Sequence, residues 1–157
     1  MSNNVSSIPP GFHSLTIHLN VDGAAQYADF LKRAFNGVEM HRSPGPGGKL
    51  MHATVRIGDS NIMFADDFSK EFGTPPPVKG NFPFVINLYV DDANAVWAQA
   101  LEAGCTVKFP IGDQFWGDRY GQVTDPFGFV WAIAQTIEIV TPEQMQERAA
   151  KMFGGGN

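Results

Sequence analysis

An internal repeat with a period of 69 residues constrains the fold of this chain more than any other feature. The segment FVINLYVDDANAVWAQALEAGC repeats, 69 positions later, a strand and helix pattern found near the start of the chain. The matched pairs are Ile17 and Ile86, Leu19 and Leu88, Val21 and Val90, Asp22 and Asp91, and Ala34 and Ala103. The period is longer than those of solenoid repeats, so it predicts two copies of a strand-helix-strand-strand-strand module. We therefore expect an α+β fold of two paired βαβββ modules that form a curled mixed sheet around a cavity.

Hydrophobic periodicity outlines the elements of the first copy. Apolar residues at three- and four-residue spacing predict a helix that has Asp22 as its N-cap and that closes at Asn36 and Gly37. The turn SPGPGGK is too rich in proline and glycine to belong to a regular element. Alternating apolar residues predict strands at 15–21, 38–42, 50–57 and 61–65.

These elements give the expected domain organisation. The length of 157 residues and a hydrophobic content of 43% suit one domain with a proper core. We predict a single domain over 1–157, with modules at about 13–66 and 82–137, a connection at 67–81 and a helical tail at 142–153. In that tail, Met145, Ala149 and Met152 fall at helical spacing and could pack on the body or on a partner.

The stretch from Gln114 to Gln135 predicts a hairpin in the second copy. The tetrapeptide from Asp125 to Gly128, DPFG, has the composition of a type I turn. After this turn, large and small side chains alternate, which predicts one bulky face and one face with room for another group. The bulky residues are Phe129, Trp131 and Ile133, and the small-side-chain positions are Val130, Ala132 and Ala134.

The face of the sheet opposite the helices is the expected binding surface. Alternation places His18, His52 and Arg56 on this face in the first copy, and the repeat brings Asn87 to the position equivalent to His18. Aromatic side chains near the hairpin could stack on a flat or apolar ligand, although core packing is an equal alternative for each. The predicted ligand-binding residues are His18, Asn20, His52, Arg56, Asn87, Tyr89, Phe115, Trp116 and Arg119. The sequence leaves the catalytic residues, and whether the protein is an enzyme, unassigned.

Charge and motifs exclude several classes of function. The net charge of −5 argues against a nucleic-acid-binding surface, which needs clustered lysine and arginine. No apolar run reaches membrane-spanning length, and the polar start lacks the features of a signal peptide, so we expect a cytoplasmic protein without a membrane partner. Cys105 is the only cysteine, which excludes an internal disulfide. Motifs for acyl transfer, nucleotide hydrolysis and thiol redox chemistry are absent.

Three segments resemble those of a known family. The runs FWGDRYGQVTDPFGFVW, MHATVRIGDSNIMFAD and TPEQMQERAA, together with the duplicated module, are similar to the vicinal oxygen chelate superfamily, and specifically to its PhnB-like, glyoxalase/bleomycin-resistance branch. The resemblance covers nearly the whole chain. It implies paired βαββ-type modules around a cavity, pairing of modules between two chains in a homodimer, and activities that range from metal-dependent lyases and dioxygenases to metal-free antibiotic binding.

The resemblance also implies a quartet of metal ligands, and this sequence lacks the side chains to supply it. The family pattern places the ligands at Thr16, at Ile62 or Met63, at Val85 and at Ala132, none of which is histidine, aspartate or glutamate. Divalent cations in such sites need imidazole or carboxylate ligands, so we predict no metal cofactor. Phe129 also stands after the DPFG turn, where many relatives have histidine.

His18 and His52 leave one metal-dependent alternative open. They point toward the same predicted cavity, but a catalytic metal normally has about three protein ligands, and a third is not evident. The charged residues that lie near strand ends or loops are expected to be solvated or to form turns; they are Glu39, Asp66, Asp113 and Asp118. The first hypothesis is thus a metal-free protein that binds a small organic molecule. The alternatives are a lyase or dioxygenase with a divalent metal, and a structural or regulatory dimer.

Overall fold

The computed structural model describes residues 4–154, in which eight strands and four α-helices form two compact units that divide after Lys79. The ends of the predicted 1–157 domain therefore lie outside the described residues. The first unit contains β1 (Ile17–Asn20), α1 (Ala24–Phe35), β2 (Val38–Pro44), β3 (Leu50–Ile57), β4 (Ser60–Ala65) and α2 (Ser69–Phe72). The second contains β5 (Ile86–Tyr89), α3 (Ala93–Glu102), β6 (Thr106–Asp113), β7 (Asp118–Thr124), β8 (Val130–Thr136) and α4 (Pro142–Phe153).

Each unit is a βαβββ module, so the predicted α+β fold of two such modules is confirmed. The strand order is β1-β4-β3-β2 in the first sheet and β5-β8-β7-β6 in the second. In both sheets the first strand pairs in parallel with the last strand, and the other pairs are antiparallel. The boundary after Lys79 falls inside the predicted connection at 67–81, and that connection contains the short helix α2.

Helix α1 covers one face of the first sheet and forms the core of that unit. Tyr27, Phe30 and Leu31 are almost fully buried, as are Val55 and Phe64 on the sheet. The Tyr27 and Phe64 rings meet edge to face, with centroids 5.2 Å apart. This arrangement adds an electrostatic preference to the hydrophobic gain. The opposite face of the sheet is left for polar residues.

The start of α1 is held by Asp66, and the prediction that Asp22 is the N-cap is wrong. The N-cap is Gly23, which has no side chain, and the Asp66 carboxylate accepts hydrogen bonds from Gly23 N and Ala24 N at 2.9 Å. Its other oxygen accepts from Leu50 N, at the start of β3, at 2.7 Å. A negative group at a helix N-terminus also interacts favourably with the helix dipole. Asp66 is therefore a buried structural anchor and not the solvated charge expected from the sequence.

The second unit uses the repeat-equivalent position for a similar bond. Gln135 lies 69 residues after Asp66, and its Oε1 accepts from Ala93 N at 3.0 Å, at the start of α3. Here the N-cap is Asp92, whose carboxylate accepts from Ala95 N at 3.0 Å. In both modules, a side chain at the repeat-equivalent position thus accepts a hydrogen bond from the otherwise unpaired N–H groups at the start of the helix.

The predicted hairpin between β7 and β8 is confirmed. Gly128 N donates to Asp125 O at 3.0 Å, which closes the DPFG turn, and the strands pair in antiparallel register from Thr124 opposite Val130. The Asp125 carboxylate also accepts from Phe129 N at 3.0 Å and from Trp131 Nε1 at 2.9 Å. The turn therefore also orients the indole of the following strand.

The face of small residues on β8 does not leave open space. Ala132 and Ala134 have no exposed surface. In the sheet, Ala134 lies between Tyr89 and Tyr120, and Ala132 lies between Asn87 and Gln122. Small side chains in a central strand are flanked by the longer side chains of both neighbouring strands, so alternation of size alone does not predict a pocket.

The C-terminal helix α4 begins with a capping box and carries few buried contacts. Thr141 and Gln144 exchange side-chain-to-backbone hydrogen bonds at its start. Met145 and Ala149 are half-buried, whereas Met152 is exposed, so the predicted apolar stripe is covered only in its first part. No helix within residues 4–154 has the length and apolar character needed to cross a membrane.

We predict that Asp66→Ala lowers the free energy of unfolding by roughly 3 kcal/mol, because it removes the acceptor of three backbone N–H groups in a buried setting. Urea denaturation at neutral pH would measure the change. Gln135→Ala, which removes one such bond, should cost about 1 kcal/mol. Asp59→Ala, in an exposed turn, is the control and should be close to neutral. Equal losses in all three variants would contradict the anchoring role of Asp66.

Candidate functional site

Three histidines meet on the face of the first sheet that α1 does not cover. The ring centroids of His18 and His52 are 5.9 Å apart, and those of His41 and His52 are 5.8 Å apart. His52 is half-buried between the other two, which are exposed. The predicted proximity of His18 and His52 is therefore observed, with His41 as a third member.

A pocket of about 370 Å³ lies beside these rings, entirely within the first unit. One wall is the sheet face, with polar side chains from β3 and β4. The other is the segment before β1, which is tied down by a 2.8 Å hydrogen bond from Asn61 Nδ2 to Gly11 O. The lining residues are Pro10, Gly11, Phe12, Met40, His41, His52, Thr54, Arg56 and Asn61.

Two polar atoms of this lining are buried without a hydrogen-bond partner among the described residues. They are Nε2 of His52 and Oδ1 of Asn61. Burial of an unpaired polar group costs about 1–3 kcal/mol, so such groups are uncommon in folded proteins and call for an explanation. Two of them around one pocket mark it as the first candidate for a ligand site.

Burial also shifts the pKa values of His18 and His52. Desolvation lowers the pKa of His52 below its ordinary value, and the nearby His18 and His41 rings lower it further. Desolvation lowers the pKa of His18 as well, even though part of its ring is exposed. Both shifts favour neutral imidazoles at pH 7, which can donate from one ring nitrogen and accept at the other.

Arg56 and Asn20 differ in whether their side chains already form hydrogen bonds within the protein. The Arg56 side chain lines the pocket and forms no hydrogen bond or ion pair with residues 4–154. Asn20 donates from Nδ2 to Pro75 O at 2.9 Å, which holds the connection after α2. Arg56 can therefore contact a ligand, whereas the Asn20 amide is already engaged with the backbone.

In the second unit, Tyr89 and Trp116 converge on a buried carboxylate. Tyr89 Oη and Trp116 Nε1 both donate to Asp118 Oδ2, at 2.9 and 3.1 Å. The Trp116 and Tyr120 rings meet edge to face with centroids 5.3 Å apart. Asp118 is 6% exposed, so it is not the solvated charge expected from the sequence. Its negative charge raises the pKa of Tyr89, chiefly through the hydrogen bond.

The other predicted residues of this unit lie outside the Asp118 cluster. Arg119 alternates to the opposite face of β7 and forms a two-point ion pair with Asp113, at 2.7 and 3.2 Å. Phe115 packs edge to face on Trp116 and lies near Phe153 of α4, with centroids 6.3 Å apart. Asn87 is exposed opposite Ala132. Strand alternation therefore separates Arg119 from the Asp118 cluster, whereas Phe115 remains in contact with the Trp116 ring of that cluster.

Sequence analysis missed His41, Asn61 and the segment before β1. The register between β2 and β3 shifts between Glu39 and His41, a bulge that turns His41 toward Thr54. Strict alternation would have placed Met40 there and His41 on the other face. Bulges have no reliable sequence signal, whereas Asn61 could have been found, because it lies directly opposite Arg56 across the turn from β3 to β4.

The side chains of the first unit do not match the donor set of a family-type metal site. Within residues 4–154, no group of three or more histidine, cysteine, aspartate or glutamate side chains is arranged to hold a metal ion. At the positions that the resemblance implied, Ile62 is buried in the core and Met63 lies opposite His18. Neither side chain provides the nitrogen or oxygen ligand that such a metal requires.

Comparison with known proteins identifies the family. The family model described as the Glyoxalase/Bleomycin resistance protein/Dioxygenase superfamily matches residues 12–133. The chain is 43% identical over 145 residues to the uncharacterized protein Mb0911c of Mycobacterium bovis, covering 90% of this chain and 95% of the relative. It is 28% identical over 88 residues to protein YjdN of Escherichia coli, covering 56% of this chain and 57% of that relative.

Solved structures share the fold at lower identity. TioX from Micromonospora matches with a TM-score of 0.64 and 22% identity, over 79% of this chain and 98% of the matched chain. The fosfomycin resistance protein FosX from Listeria monocytogenes matches with a TM-score of 0.62 and 14% identity, over 85% and 97%. Since the family model spans both βαβββ modules, the chain belongs to the glyoxalase/bleomycin resistance protein/dioxygenase superfamily.

Proposed function

We propose that this protein binds a small organic molecule in the His52 pocket of the first unit, without a metal. The observation that carries the proposal is the pair of buried, unpartnered atoms, His52 Nε2 and Asn61 Oδ1, on the lining of one pocket. A ligand that enters the pocket, shifts these two side chains and pairs with both buried atoms would recover the free energy that the folded protein loses by leaving them unsatisfied.

The size and composition of the pocket support an organic ligand. A volume of about 370 Å³ lies in the range of small-molecule sites, which are roughly 300–1,000 Å³. Phe12, Met40 and Pro10 offer apolar contact area, and His52, Thr54 and Asn61 offer directional groups. Apolar walls with a few convergent polar atoms are typical of specific binding sites.

Membership of the superfamily supports the same function. The family description includes bleomycin resistance proteins, and one structural match, FosX, is a fosfomycin resistance protein, so both names refer to antibiotics. The structural match to the PhnB protein of Bacillus cereus, with a TM-score of 0.60 and 15% identity, supports placing the chain near that branch. A lyase or dioxygenase function with a divalent metal is the second possibility, but in the described part of the chain His18, His52 and the neighbouring His41 are not arranged to hold a metal ion.

We predict that His52→Phe weakens ligand binding and does not lower stability. The substitution keeps a ring of similar shape and removes the unpartnered Nε2, so the melting temperature should stay the same or rise. A fragment library would be screened by thermal shift, and hits would be mapped by backbone amide shifts near Gly11, Thr54 and Asn61. Hits that map there should bind His52→Phe at least tenfold more weakly.

His13→Phe is the matched control for this experiment, because His13 is exposed and does not line the pocket. It should leave the affinity of every mapped fragment within twofold of the parent protein. The proposal fails if fragments that bind the protein shift none of the pocket amides, or if His52→Phe lowers the melting temperature and leaves affinity unchanged.

We predict that EDTA leaves the melting temperature unchanged, since a protein that folds without a bound metal has no metal-binding free energy to lose. A metal held at a hundredfold its dissociation constant would contribute about 2.7 kcal/mol, which a thermal scan detects. The measurement uses protein purified without chelator. A drop that a divalent cation reverses would favour the metal-dependent alternative.

We also propose that the protein is a homodimer, because several large apolar side chains are exposed. Leu15 and Ile139 are each 92% exposed, and Phe153 is 77% exposed. A second copy that covers such side chains would remove their apolar surface from water, and pairing between chains is also what the resemblance to the superfamily implies. Sedimentation at micromolar concentration should give the mass of a dimer, and a single monomeric species would contradict the proposal. Ile139→Ser, at one of these positions, should weaken the association if this residue lies in the interface.

A further inference from the structure

The charged and titratable groups on the lining of the His52 pocket are all basic. Arg56, His41 and His52 belong to the lining, and it contains no aspartate or glutamate. The guanidinium of arginine is always charged, so the pocket carries a positive charge even where the two imidazoles are neutral. A pocket with a fixed positive charge favours a negatively charged group of a ligand.

The Arg56 side chain is also unpaired within the described residues, unlike those of Lys32, Arg42 and Lys49 in this unit. Lys32 and Arg42 both pair with Glu39, at 2.7 and 2.6 Å, and Lys49 donates to Asp67 O at 3.0 Å. The Arg56 guanidinium has no hydrogen-bond or ion-pair partner among residues 4–154. Its planar fork of donors matches the two oxygens of a carboxylate, and a pair of this kind is among the stronger hydrogen-bonded contacts in proteins.

Asn61, the neighbour of Arg56 on the adjacent strand, presents a hydrogen-bond acceptor, whereas Arg56 presents donors. Asn61 lies directly opposite Arg56 in the register of β3 and β4, a relation that brings side chains on one face within contact distance. Asn61 Nδ2 already donates to Gly11 O, so the amide orientation is set and the buried Oδ1 is left as an acceptor. A ligand that shifts this side chain enough to expose Oδ1 would pair with it through a hydroxyl or N–H donor.

We infer that the pocket binds an organic acid whose carboxylate contacts Arg56 and whose hydroxyl or amino group donates to Asn61 Oδ1. The inference rests on the proposed function, because it specifies the ligand of the same pocket. The lining holds one fixed positive charge, that of Arg56, which balances a carboxylate monoanion but only half of the charge of a phosphate-ester dianion. The apolar side chains of Phe12, Met40 and Pro10 would contact the carbon skeleton between the two polar groups.

Matched probes can separate these requirements. The probes are 3-hydroxybenzoate and 3-hydroxyphenylacetate, their neutral primary amides, benzoate as the acid without a donor, and phenyl phosphate as the dianion. Affinities would be measured by calorimetry and by shifts of the Asn61 side-chain amide signal. At least one hydroxy acid should bind tenfold or more tightly than its amide and severalfold more tightly than benzoate or phenyl phosphate.

Two arginine variants test the role of Arg56. Arg56→Met keeps much of the side-chain length without the charge, and it should reduce the affinity for the hydroxy acid about tenfold, to that of the amide. Arg42→Met is the control, because Arg42 is paired with Glu39 and does not line the pocket; it should change affinity less than twofold. Asn61→Asp, which keeps Oδ1 but adds a negative charge beside Arg56, should also weaken binding of the acid.

The outcomes distinguish this inference from the proposed function. The organic-acid assignment is overturned, and the binding function stands, if neutral fragments bind in the pocket and the amides bind with the same affinity as the acids. The same conclusion follows if phenyl phosphate binds more tightly than every other probe. The assignment is also overturned if Arg56→Met leaves the affinity for the acid unchanged. If neither these probes nor the fragment library shift the pocket amides, both proposals are overturned together.

Discussion

The contacts of the Asp66 carboxylate are the constraint on which the first unit depends. One residue at the end of β4 accepts hydrogen bonds from the first N–H groups of α1 and from the first N–H group of β3. It thereby fixes where the helix begins relative to the sheet that it covers. With α1 anchored on one face, the other face is free to present His18, His52 and Arg56. A buried carboxylate is tolerated at this point because its hydrogen bonds replace those that it loses from water.

The candidate site follows from two features of strand pairing in that unit. Parallel pairing of β1 with β4 brings His18 opposite Met63, next to the β3 face that carries His52. The bulge in β2 then adds His41 to the same face. The segment before β1 completes the pocket, because Asn61 holds the backbone of Gly11 with one half of its amide. The Oδ1 atom of the same amide is left without a hydrogen-bond partner, which lowers the stability of the folded protein and gives a reason to expect a ligand.

The second unit has the same module but uses its polar groups differently. Asp118 is as deeply buried as Asp66, yet it receives side-chain donors, Tyr89 Oη and Trp116 Nε1, where Asp66 receives backbone donors. These bonds hold aromatic side chains to the sheet, and no buried side-chain atom of this unit lacks a partner within the described residues. Satisfied polar networks of this kind rigidify a structure. The duplicated fold therefore has two unpaired buried polar atoms beside the pocket of one module and a hydrogen-bonded aromatic cluster in the other.

The sequence by itself determined the two βαβββ modules, the DPFG hairpin and the presence of His18, His52 and Arg56 on one face. These features depend on local periodicity and on turn residues such as Pro126, which act within a few positions. Only the tertiary structure decided that Asp66, and not Asp22, anchors α1, that Arg119 is paired with Asp113 on the opposite face, and that His41 joins His52. The physical reason is that each of these contacts depends on strand register or on a bulge. The spacing of apolar residues encodes neither the register nor the bulge.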